Sequence, residues 1–110
     1  MVTGPTTLWV TEKGTAPMRV AVVGSAGRMG SAVCEAVAAD DLLDLVGAVD
    51  PSSSGDMDST GTVVVSDSIE DVDPTEVDVA VDFTVAEAAR QNVQWCADHG
   101  IHAVVGTSGL

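Results

Sequence analysis

The chain reads Val20-Ala21-Val22-Val23-Gly24-Ser25-Ala26-Gly27-Arg28-Met29-Gly30 where an apolar run meets three glycines spaced three residues apart. The apolar run predicts a strand buried on both faces, as in a parallel sheet. Glycine at the turn allows backbone conformations that a β-carbon forbids, and a helical pattern follows. The first N–H groups of that helix and its dipole attract anions. This stretch therefore predicts a strand, a turn and a helix that bind the pyrophosphate of a dinucleotide.

The spacing of the glycines is G-x-x-G-x-x-G instead of the commoner G-x-G-x-x-G, and such a turn can also occur without any ligand. A dinucleotide fold needs a second strand that ends in an acidic residue about 20 positions on, where the carboxylate accepts hydrogen bonds from the adenosine ribose. Residues 45–49 are an apolar strand candidate, and Asp50 follows them. Asp50 alone could be an ordinary turn aspartate, but strand, glycines, helix and acid together favour dinucleotide binding.

The charge and the length limit the function classes. The 17 acidic residues against four basic ones give a formal net charge of -13, which argues against nucleic acid and anionic membranes as partners. A dinucleotide would then be held by local backbone donors. At 110 residues the chain is short for a complete dinucleotide-dependent enzyme. We expect a fragment, truncated before a substrate domain.

No segment indicates secretion or membrane insertion, because the sequence has neither a run of 18 apolar residues nor a charged start followed by an apolar run. Cys34 and Cys96 lie on predicted helices without metal-ligand spacing, which indicates buried thiols in a reducing compartment. We expect a cytoplasmic protein without a metal site. Residues 1–17 predict a flexible N-terminal extension, and residues 18–110 predict one domain.

Hydrophobic periodicity predicts the next elements. The helix after the glycines is predicted to end near Ala39 and to pack on the sheet through Met29, Ala32, Val33, Ala36 and Val37. Residues 51–61 predict a polar loop at the rim of the sheet. Residues 62–65 predict a short strand, and residues 68–72 predict one helical turn.

A later strand brings further residues to the same edge of the sheet. Residues 77–83 predict a strand that carries Asp82, Phe83 and Thr84 to its carboxyl end, where open α/β sheets bind ligands. Thr84 and Glu87 have the spacing of a capping box at the start of the next helix. That helix is predicted to bury Val85, Ala88, Ala89, Val93, Cys96 and Ala97 and to stop at Gly100.

Residues 101–105 predict the last strand, and the loop Gly106-Thr107-Ser108-Gly109 follows it at the ligand edge. The hydroxyls and flexible backbone of this loop suit the nicotinamide half of a cofactor. His99 and His102 flank the turn at the opposite end of the sheet, so no catalytic or metal-binding role is predicted for them. Together the elements predict an α/β fold with a Rossmann-type, doubly wound parallel sheet.

Three separated segments carry a family resemblance: Val23-Gly24-Ser25-Ala26-Gly27-Arg28-Met29-Gly30, Val81-Asp82-Phe83-Thr84, and His99-Gly100-Ile101-His102-Ala103-Val104-Val105-Gly106-Thr107-Ser108-Gly109. In this order they resemble the N-terminal dinucleotide-binding domain of the 4-hydroxy-tetrahydrodipicolinate reductase (dihydrodipicolinate reductase) family. The resemblance runs from residue 18 to residue 110. It implies an oxidoreductase that, at full length, transfers a hydride from NADH or NADPH to a cyclic imine dicarboxylate in lysine and diaminopimelate biosynthesis.

The resemblance also implies which residues hold the cofactor. The glycine turn wraps the pyrophosphate, Asp50 binds the ribose, and the loop after the last strand lies along the nicotinamide. The implied cofactor-binding residues are Gly24, Ser25, Ala26, Gly27, Arg28, Met29, Gly30, Asp50, Phe83, Thr84, Gly106, Thr107 and Ser108. Ser108 replaces a second threonine of the family and keeps the hydroxyl, and Leu110 stands where an aromatic residue is usual.

The catalytic residues of that family and most of its oligomer contacts belong to a domain that would follow residue 110. The resemblance therefore implies that this chain contains no catalytic residue, that it is inactive alone, and that a homo-oligomer forms only with the further domain.

The residues after Asp50 bear on the choice of cofactor. Pro51 and three serines follow it, without an arginine that could pair with a 2′-phosphate, which predicts NADH as the preferred cofactor. NADPH is the alternative, because Arg28 could reach a phosphate. Two other functions also fit the glycine spacing. One is an extended short-chain dehydrogenase or epimerase, which needs a tyrosine that this sequence lacks, and the other is a module that binds NAD without catalysis.

Overall fold

The computed structural model describes residues 16–106. Four strands form one sheet: β1 (Met18–Val23), β2 (Leu43–Val49), β3 (Val79–Asp82) and β4 (His102–Val105). Helix α1 (Arg28–Ala39) connects β1 to β2, and helix α2 (Ala86–Asp98) connects β3 to β4. Three short 3-10 helices lie between β2 and β3, at Pro51–Ser53, Ile69–Asp71 and Pro74–Glu76.

The strand order is β2-β1-β3-β4, and every pairing is parallel. The chain leaves β1 to build β2 on one side and then returns to build β3 on the other side of β1. The strand order therefore reverses between β1 and β3, and ligands of open α/β sheets bind at the carboxyl edge of such a reversal. The predicted α/β fold with a Rossmann-type parallel sheet is confirmed.

Strand β1 lies at the centre and sends alternate side chains to two apolar clusters. The cluster on the face of α1 contains Val20, Val22, Cys34, Val37 and Leu45. The cluster on the face of α2 contains Ala21, Val23, Val49, Ile69, Val77, Ala80, Cys96 and Ile101. The helices thus cover opposite faces of the sheet, and β1 is buried on both, which explains its nearly continuous apolar sequence.

Helix α1 ends where the sequence predicts, but it turns a different face to the sheet. Its buried residues are Gly30, Cys34 and Val37, with Val33 half-buried between them. Met29, Ala32 and Ala36 were predicted to pack on the sheet and are exposed instead. The reason is a backbone contact, because Gly30 lies directly against Gly24 and this contact sets the rotation of the helix.

Helix α2 buries fewer residues than its pattern predicts. Ala89 and Cys96 are buried, whereas Val85 and Ala97 are exposed. Val85 precedes the first turn, where it lies at the end of the sheet instead of over it. The helix stops before Gly100, whose φ of 73° suits glycine and ends the helix as predicted.

Residues 62–65 do not form the predicted strand. Only isolated bridges occur in this region, between Met57 and Val64 and between Val49 and Ser66. The loop is instead organised around Asp58, a buried carboxylate that accepts hydrogen bonds from the backbone N–H groups of Thr60, Thr62 and Val63 at 2.9, 2.7 and 2.9 Å. A segment in which three residues donate to one carboxylate cannot extend along a strand.

The predicted helical turn near residue 70 exists as the 3-10 helix Ile69–Asp71. It has a capping box, in which the Ser68 hydroxyl accepts from the Glu70 N–H and the Asp71 carboxylate accepts from the Ser68 N–H.

Strand β4 is the most exposed strand of the sheet. His102, Ala103 and Val104 are exposed, and Val104 has 54% of its surface accessible. On the face of the sheet that carries α1, the helix packs mainly on β1 and β2. Among the described residues, β4 pairs with β3 alone.

Most of the extension predicted for residues 1–17 lies outside the described residues. No helix between residues 16 and 106 has the length and apolar character required to span a membrane.

Candidate functional site

The glycine turn that follows β1 is fixed by backbone contacts to both neighbouring strands. The N–H groups of Gly24 and Ser25 both donate to the carbonyl oxygen of Val49 at the end of β2, at 2.7 and 3.2 Å. Gly24 has φ of 84°, and a β-carbon there would lie 3.2 Å from the carbonyl carbon of Phe83. The turn therefore needs glycine at position 24 for its conformation and for the close approach of the segment after β3.

The other two glycines differ in what the fold requires of them. A β-carbon at Gly30 would overlap the carbonyl oxygen of Gly24, so only glycine allows α1 to start this close to the turn. A β-carbon at Gly27 would lie 3.6 Å from its nearest neighbour, an ordinary contact, and its φ of -73° suits any residue. Protein packing thus explains Gly24 and Gly30 but does not explain Gly27.

The start of α1 presents backbone donors. The N–H of Gly27 bends back to the carbonyl of Gly24 at 3.3 Å, and the N–H of Ser31 makes the first helical bond, to the carbonyl of Gly27 at 2.8 Å. No side chain caps this end. Within residues 16–106, the N–H groups of Arg28, Met29 and Gly30 have no acceptor. These donors and the helix dipole favour an anion at this point.

A cavity of about 470 Å³ opens between the carboxyl ends of β1 and β3, directly at these donors. Its lining residues are Gly24, Gly27, Arg28, Met29, Gly30, Phe83, Thr84, Val85, Ala86 and Gly106. Most of them are predicted site residues, so the structure brings together the first glycine turn, the end of β3 and the end of β4. Although the chain has a net charge of -13, Arg28 is the one charged residue that the described part of the chain contributes to this lining.

Val85 and Ala86 line the cavity, although the sequence analysis does not predict them as site residues. They open α2, whose N-terminus also faces the cavity. The rule that predicts a ligand at the start of the helix after β1 applies equally to the helix after β3. Applied there, it would have identified both residues.

Asp50 does not line the cavity, but it bonds Ala26, the neighbour of the lining residue Gly27, and three donors hold its carboxylate in place. One oxygen, Oδ2, accepts from the N–H of Ala26 at 2.9 Å, and the other, Oδ1, accepts from the N–H and hydroxyl of Ser52 at 3.0 and 2.7 Å. Partial burial alone would raise the pKa of Asp50, but the hydrogen bonds from Ser52 and Ala26 outweigh it and hold the pKa below its ordinary value. Asp50 is therefore an anchored carboxylate that faces the glycine turn.

The remaining predicted residues of the turn have other surroundings. The side chain of Ser25 is buried, and its hydroxyl has no hydrogen-bond partner among the described residues. The N–H of Ala26 is used by Asp50. Neither residue lines the cavity. The predicted contacts of Thr107 and Ser108 lie outside the described residues.

Phe83 and Thr84 form the wall opposite the glycine turn. The ring of Phe83 lies against Gly106, where a β-carbon would overlap the ring. The hydroxyl of Thr84 donates to Oδ1 of Asp82 at 2.6 Å, and its backbone N–H donates to the same oxygen at 2.8 Å. The capping box predicted for Thr84 and Glu87 is therefore wrong: α2 begins after Val85, without a side-chain cap, because Asp82 holds the hydroxyl that was expected to cap it.

The two histidines lie where the sequence predicts, away from the cavity. His99 follows α2 and stacks on Trp95 with 4.2 Å between the ring centroids, and its Nδ1 is 2.7 Å from the Trp95 carbonyl oxygen. His102 begins β4 at the opposite end of the sheet from Gly106. The part of the chain that the structure describes holds no group of residues suited to a metal ion.

These features fit the pyrophosphate of a dinucleotide. Arg28, Met29 and Gly30, whose N–H groups have no acceptor between residues 16 and 106, line the cavity, and there is space around Gly27 that no packing contact requires. None of the described residues places a carboxylate in the lining. A pyrophosphate requires donors of this kind and close access to the backbone. An anchored acid at the end of β2 completes the arrangement on the side where a ribose would lie.

The comparisons with known proteins agree with this geometry. The family model described as "Dihydrodipicolinate reductase, N-terminus" matches residues 18–110. The chain is 39% identical over 93 residues to a 4-hydroxy-tetrahydrodipicolinate reductase of Nocardia farcinica and 41% identical over 93 residues to one of Cutibacterium acnes. Each alignment covers 84% of this chain but 32% and 31% of the relative, so the chain spans about a third of the length of the curated relatives it matches.

Among solved structures, aspartate semialdehyde dehydrogenase II of Vibrio cholerae superposes with a TM-score of 0.69 at 22% identity. The superposition covers 84% of this chain and 31% of that one, and it supports the fold alone. The match of the family model over residues 18–110 shows that the chain belongs to the dihydrodipicolinate reductase family and corresponds to its N-terminal part.

Proposed function

We propose that this chain is the part of a 4-hydroxy-tetrahydrodipicolinate reductase that holds the nicotinamide dinucleotide. The observation that carries the proposal is the cavity at the reversal of strand order, where the N–H groups of Arg28, Met29 and Gly30 have no acceptor among the described residues. The relatives that share this region carry that enzyme name. The full protein would reduce a cyclic imine dicarboxylate in lysine and diaminopimelate biosynthesis.

Different residues would bind different parts of the cofactor. The pyrophosphate would lie over Gly27, within reach of the three N–H groups, and Asp50 would accept hydrogen bonds from the hydroxyls of the adenosine ribose. Phe83, Thr84 and Gly106 would border the nicotinamide half, with Thr107 and Ser108 next to it. The bound nicotinamide supplies the hydride. The chain itself contributes orientation and exclusion of water, which account for much of the acceleration of such reactions.

We further propose that NADH is preferred over NADPH. Asp50 is an anchored carboxylate with a lowered pKa, and residues 50–66 contain no lysine or arginine. A 2′-phosphate on the ribose would therefore meet a negative charge without a cation to offset it. Arg28 lines the cavity at the start of α1, where it favours the pyrophosphate that both cofactors share.

The proton, the substrate contacts and the catalytic side chains would come from a further domain. The relatives are about three times as long as the aligned region, which supports a second domain after this one. We propose that the chain alone is catalytically inactive and that oligomers form through the further domain. The free, buried thiols of Cys34 and Cys96 support a reducing, cytoplasmic location.

Titration of NADH and of NADPH into the 110-residue chain, followed by the fluorescence of the reduced nicotinamide, tests the proposal. We expect both to bind, with a lower dissociation constant for NADH, and we expect no oxidation of NADH when the cyclic imine is added. Absence of binding by either cofactor would overturn the proposed function. Tighter binding of NADPH would overturn the preference alone, and turnover would overturn the assignment of catalysis to another domain.

A further inference from the structure

Asp82, the last residue of β3, is a buried carboxylate that lies next to the cavity without lining it. Only 2% of its surface is accessible, in an environment where an unpaired carboxylate is costly. Its two oxygens accept hydrogen bonds from two directions. Oδ1 accepts from the backbone N–H and the hydroxyl of Thr84, and Oδ2 accepts from Nδ2 of Asn92 at 2.9 Å. The carboxylate thus links Thr84, in the wall of the cavity, to Asn92 on α2.

Asn92 is the polar residue on the buried side of α2. It lies three residues after Ala89 and four before Cys96, so it shares their face of the helix, and it is half-buried there. A polar side chain on an apolar face needs a partner, and Asp82 provides it. The residue type at position 92 is therefore explained by the carboxylate that it contacts.

The backbone around Asp82 connects both sides of the cavity. Its carbonyl oxygen accepts from the N–H of Gly106 at 2.8 Å, and the next N–H, that of Phe83, donates to the carbonyl of Val23 at 2.9 Å. The segment after Asp82 passes so close to Gly24 that a β-carbon on Gly24 would lie 3.3 Å from the nitrogen of Thr84. A shift of the turn at residues 83–84 would therefore change the width of the cavity directly.

We propose that Asp82 and Asn92 are positioning residues, which hold the turn of Phe83 and Thr84 at the distance from the glycine turn that a dinucleotide requires. Asp82 orients the N–H and the hydroxyl of Thr84, and Asn92 holds Asp82 in place. Neither residue touches the cofactor in this proposal. This inference rests on the proposed function, since it concerns the same cavity. It adds residues outside the cavity lining that determine its shape.

The test is a cycle of three variants in the 110-residue chain: Asp82→Asn, Asn92→Asp, and both together. Asp82→Asn turns an amide NH2 toward the NH2 of Asn92, and Asn92→Asp places two carboxylates against each other. The double variant restores the hydrogen bond with the donor at position 82 and the acceptor at position 92, the reverse of the wild type. Position 82 keeps an oxygen that accepts from Thr84. Asn92→Ala removes the donor without a new charge, and Gln94→Ala, an exposed site on the same helix that bonds Asp98, is the matched control.

We expect Asn92→Ala and each single variant of the cycle to weaken NADH binding roughly five- to tenfold. The double variant should recover most of this loss, and Gln94→Ala should bind like the wild type. The second readout is hydrogen exchange of the Thr84 N–H without cofactor, which should be faster in Asn92→Ala and restored in the double variant. If the two residues were purely structural, the substitutions would lower the urea midpoint, but NADH binding and the exchange of the Thr84 N–H would not recover together in the double variant.

Two results overturn the inference: unchanged exchange of the Thr84 N–H in Asn92→Ala, or a double variant that binds NADH no better than the worse single variant. Failure of the proposed function gives a different result, in which the wild-type chain binds neither NADH nor NADPH. The exchange rate of the Thr84 N–H still decides in that case whether Asp82 and Asn92 hold the turn.

Discussion

The backbone N–H of Ala26 donates a 2.9 Å hydrogen bond to the carboxylate of Asp50, which lies 24 residues later in the chain. This bond fastens the middle of the glycine turn to the end of β2. The acid that we propose for the ribose therefore also supports the turn that we propose for the pyrophosphate. Because one carboxylate has both roles in this proposal, we expect substitutions at Asp50 to affect both.

Asp50→Ala is expected to weaken NADH binding at least about tenfold, which corresponds to about 1.4 kcal/mol. The same change should narrow the difference between NADH and NADPH, because it removes the negative charge that a 2′-phosphate would meet. Fluorescence titration of both cofactors measures the two effects. Asp56→Ala, an exposed acid in the following loop, is the control. An undiminished preference for NADH in Asp50→Ala would contradict our explanation of cofactor choice.

The second and third glycines of the turn, Gly27 and Gly30, should respond differently to alanine. At Gly30 the new β-carbon overlaps the carbonyl of Gly24, so we expect a loss of about 1–3 kcal/mol or more in the free energy of unfolding. At Gly27 the β-carbon has room within the protein, so stability should stay close to wild type while NADH binding weakens. Urea unfolding and cofactor titration on both variants separate the effects. Equal stability losses at the two positions would contradict the distinction.

Asp58 should make the stability of the chain depend on pH. Burial alone would raise its pKa, but the hydrogen bonds from Thr60, Val63 and Thr62 outweigh burial and lower the pKa. The native state then binds fewer protons than the unfolded state in acid. The contribution of Asp58 is therefore complete above the ordinary carboxyl pKa of about 3.9 and is lost as the pH falls through that value and below it.

Urea unfolding between pH 7 and pH 3 measures this dependence. We expect Asp58→Asn to be less stable than wild type at pH 7 and to lose less stability toward pH 3. Asp56→Asn is the control, because its side chain is exposed and makes no hydrogen bond within the described residues. Parallel curves for wild type and Asp58→Asn would show that the loop does not depend on the charge of this carboxylate.

The two thiols should be inert in the folded chain. Burial, with smaller contributions from Asp58 and Glu35, raises the pKa of Cys34 to about 11, and burial together with Asp82 raises the pKa of Cys96. At pH 8 the thiolate fraction of Cys34 is then roughly two orders of magnitude below that of a free cysteine. Labelling by an aromatic disulfide reagent should follow the urea unfolding curve. Rapid labelling without urea would show that the helices do not cover the thiols as described.

The sequence is most informative where one local pattern determines the structure. The apolar run before Gly24, the glycines and the acid at position 50 each follow from backbone sterics or strand periodicity, and the structure brings them to one edge of the sheet. The contacts with a cofactor stay a prediction. The lining contributed by Phe83 and Gly106 was also predictable, because parallel strands end at a common edge.

The errors arise where a specific contact competes with the preference that the sequence pattern indicates. Thr84 has the spacing of a helix cap, but its hydroxyl bonds the carboxylate of Asp82. The face of α1 is set by a contact between Gly30 and the backbone of Gly24, which a hydrophobic pattern does not register. The valines near residue 64 favour a strand by propensity, but the side chain of Asp58 folds that segment into a loop. In each case a specific hydrogen bond or backbone contact overrides the preference that the sequence pattern indicates.

The exposed strand β4 has a consequence for handling the chain in solution. An edge strand that pairs on one side only among residues 16–106 and carries an accessible valine is a template for edge-to-edge aggregation, and mutual repulsion from a net charge of -13 opposes it. Concentrated salt screens that repulsion while leaving the edge available. Turbidity of a concentrated solution should therefore rise on adding salt, and a lysine in place of Val104 should keep the solution clear.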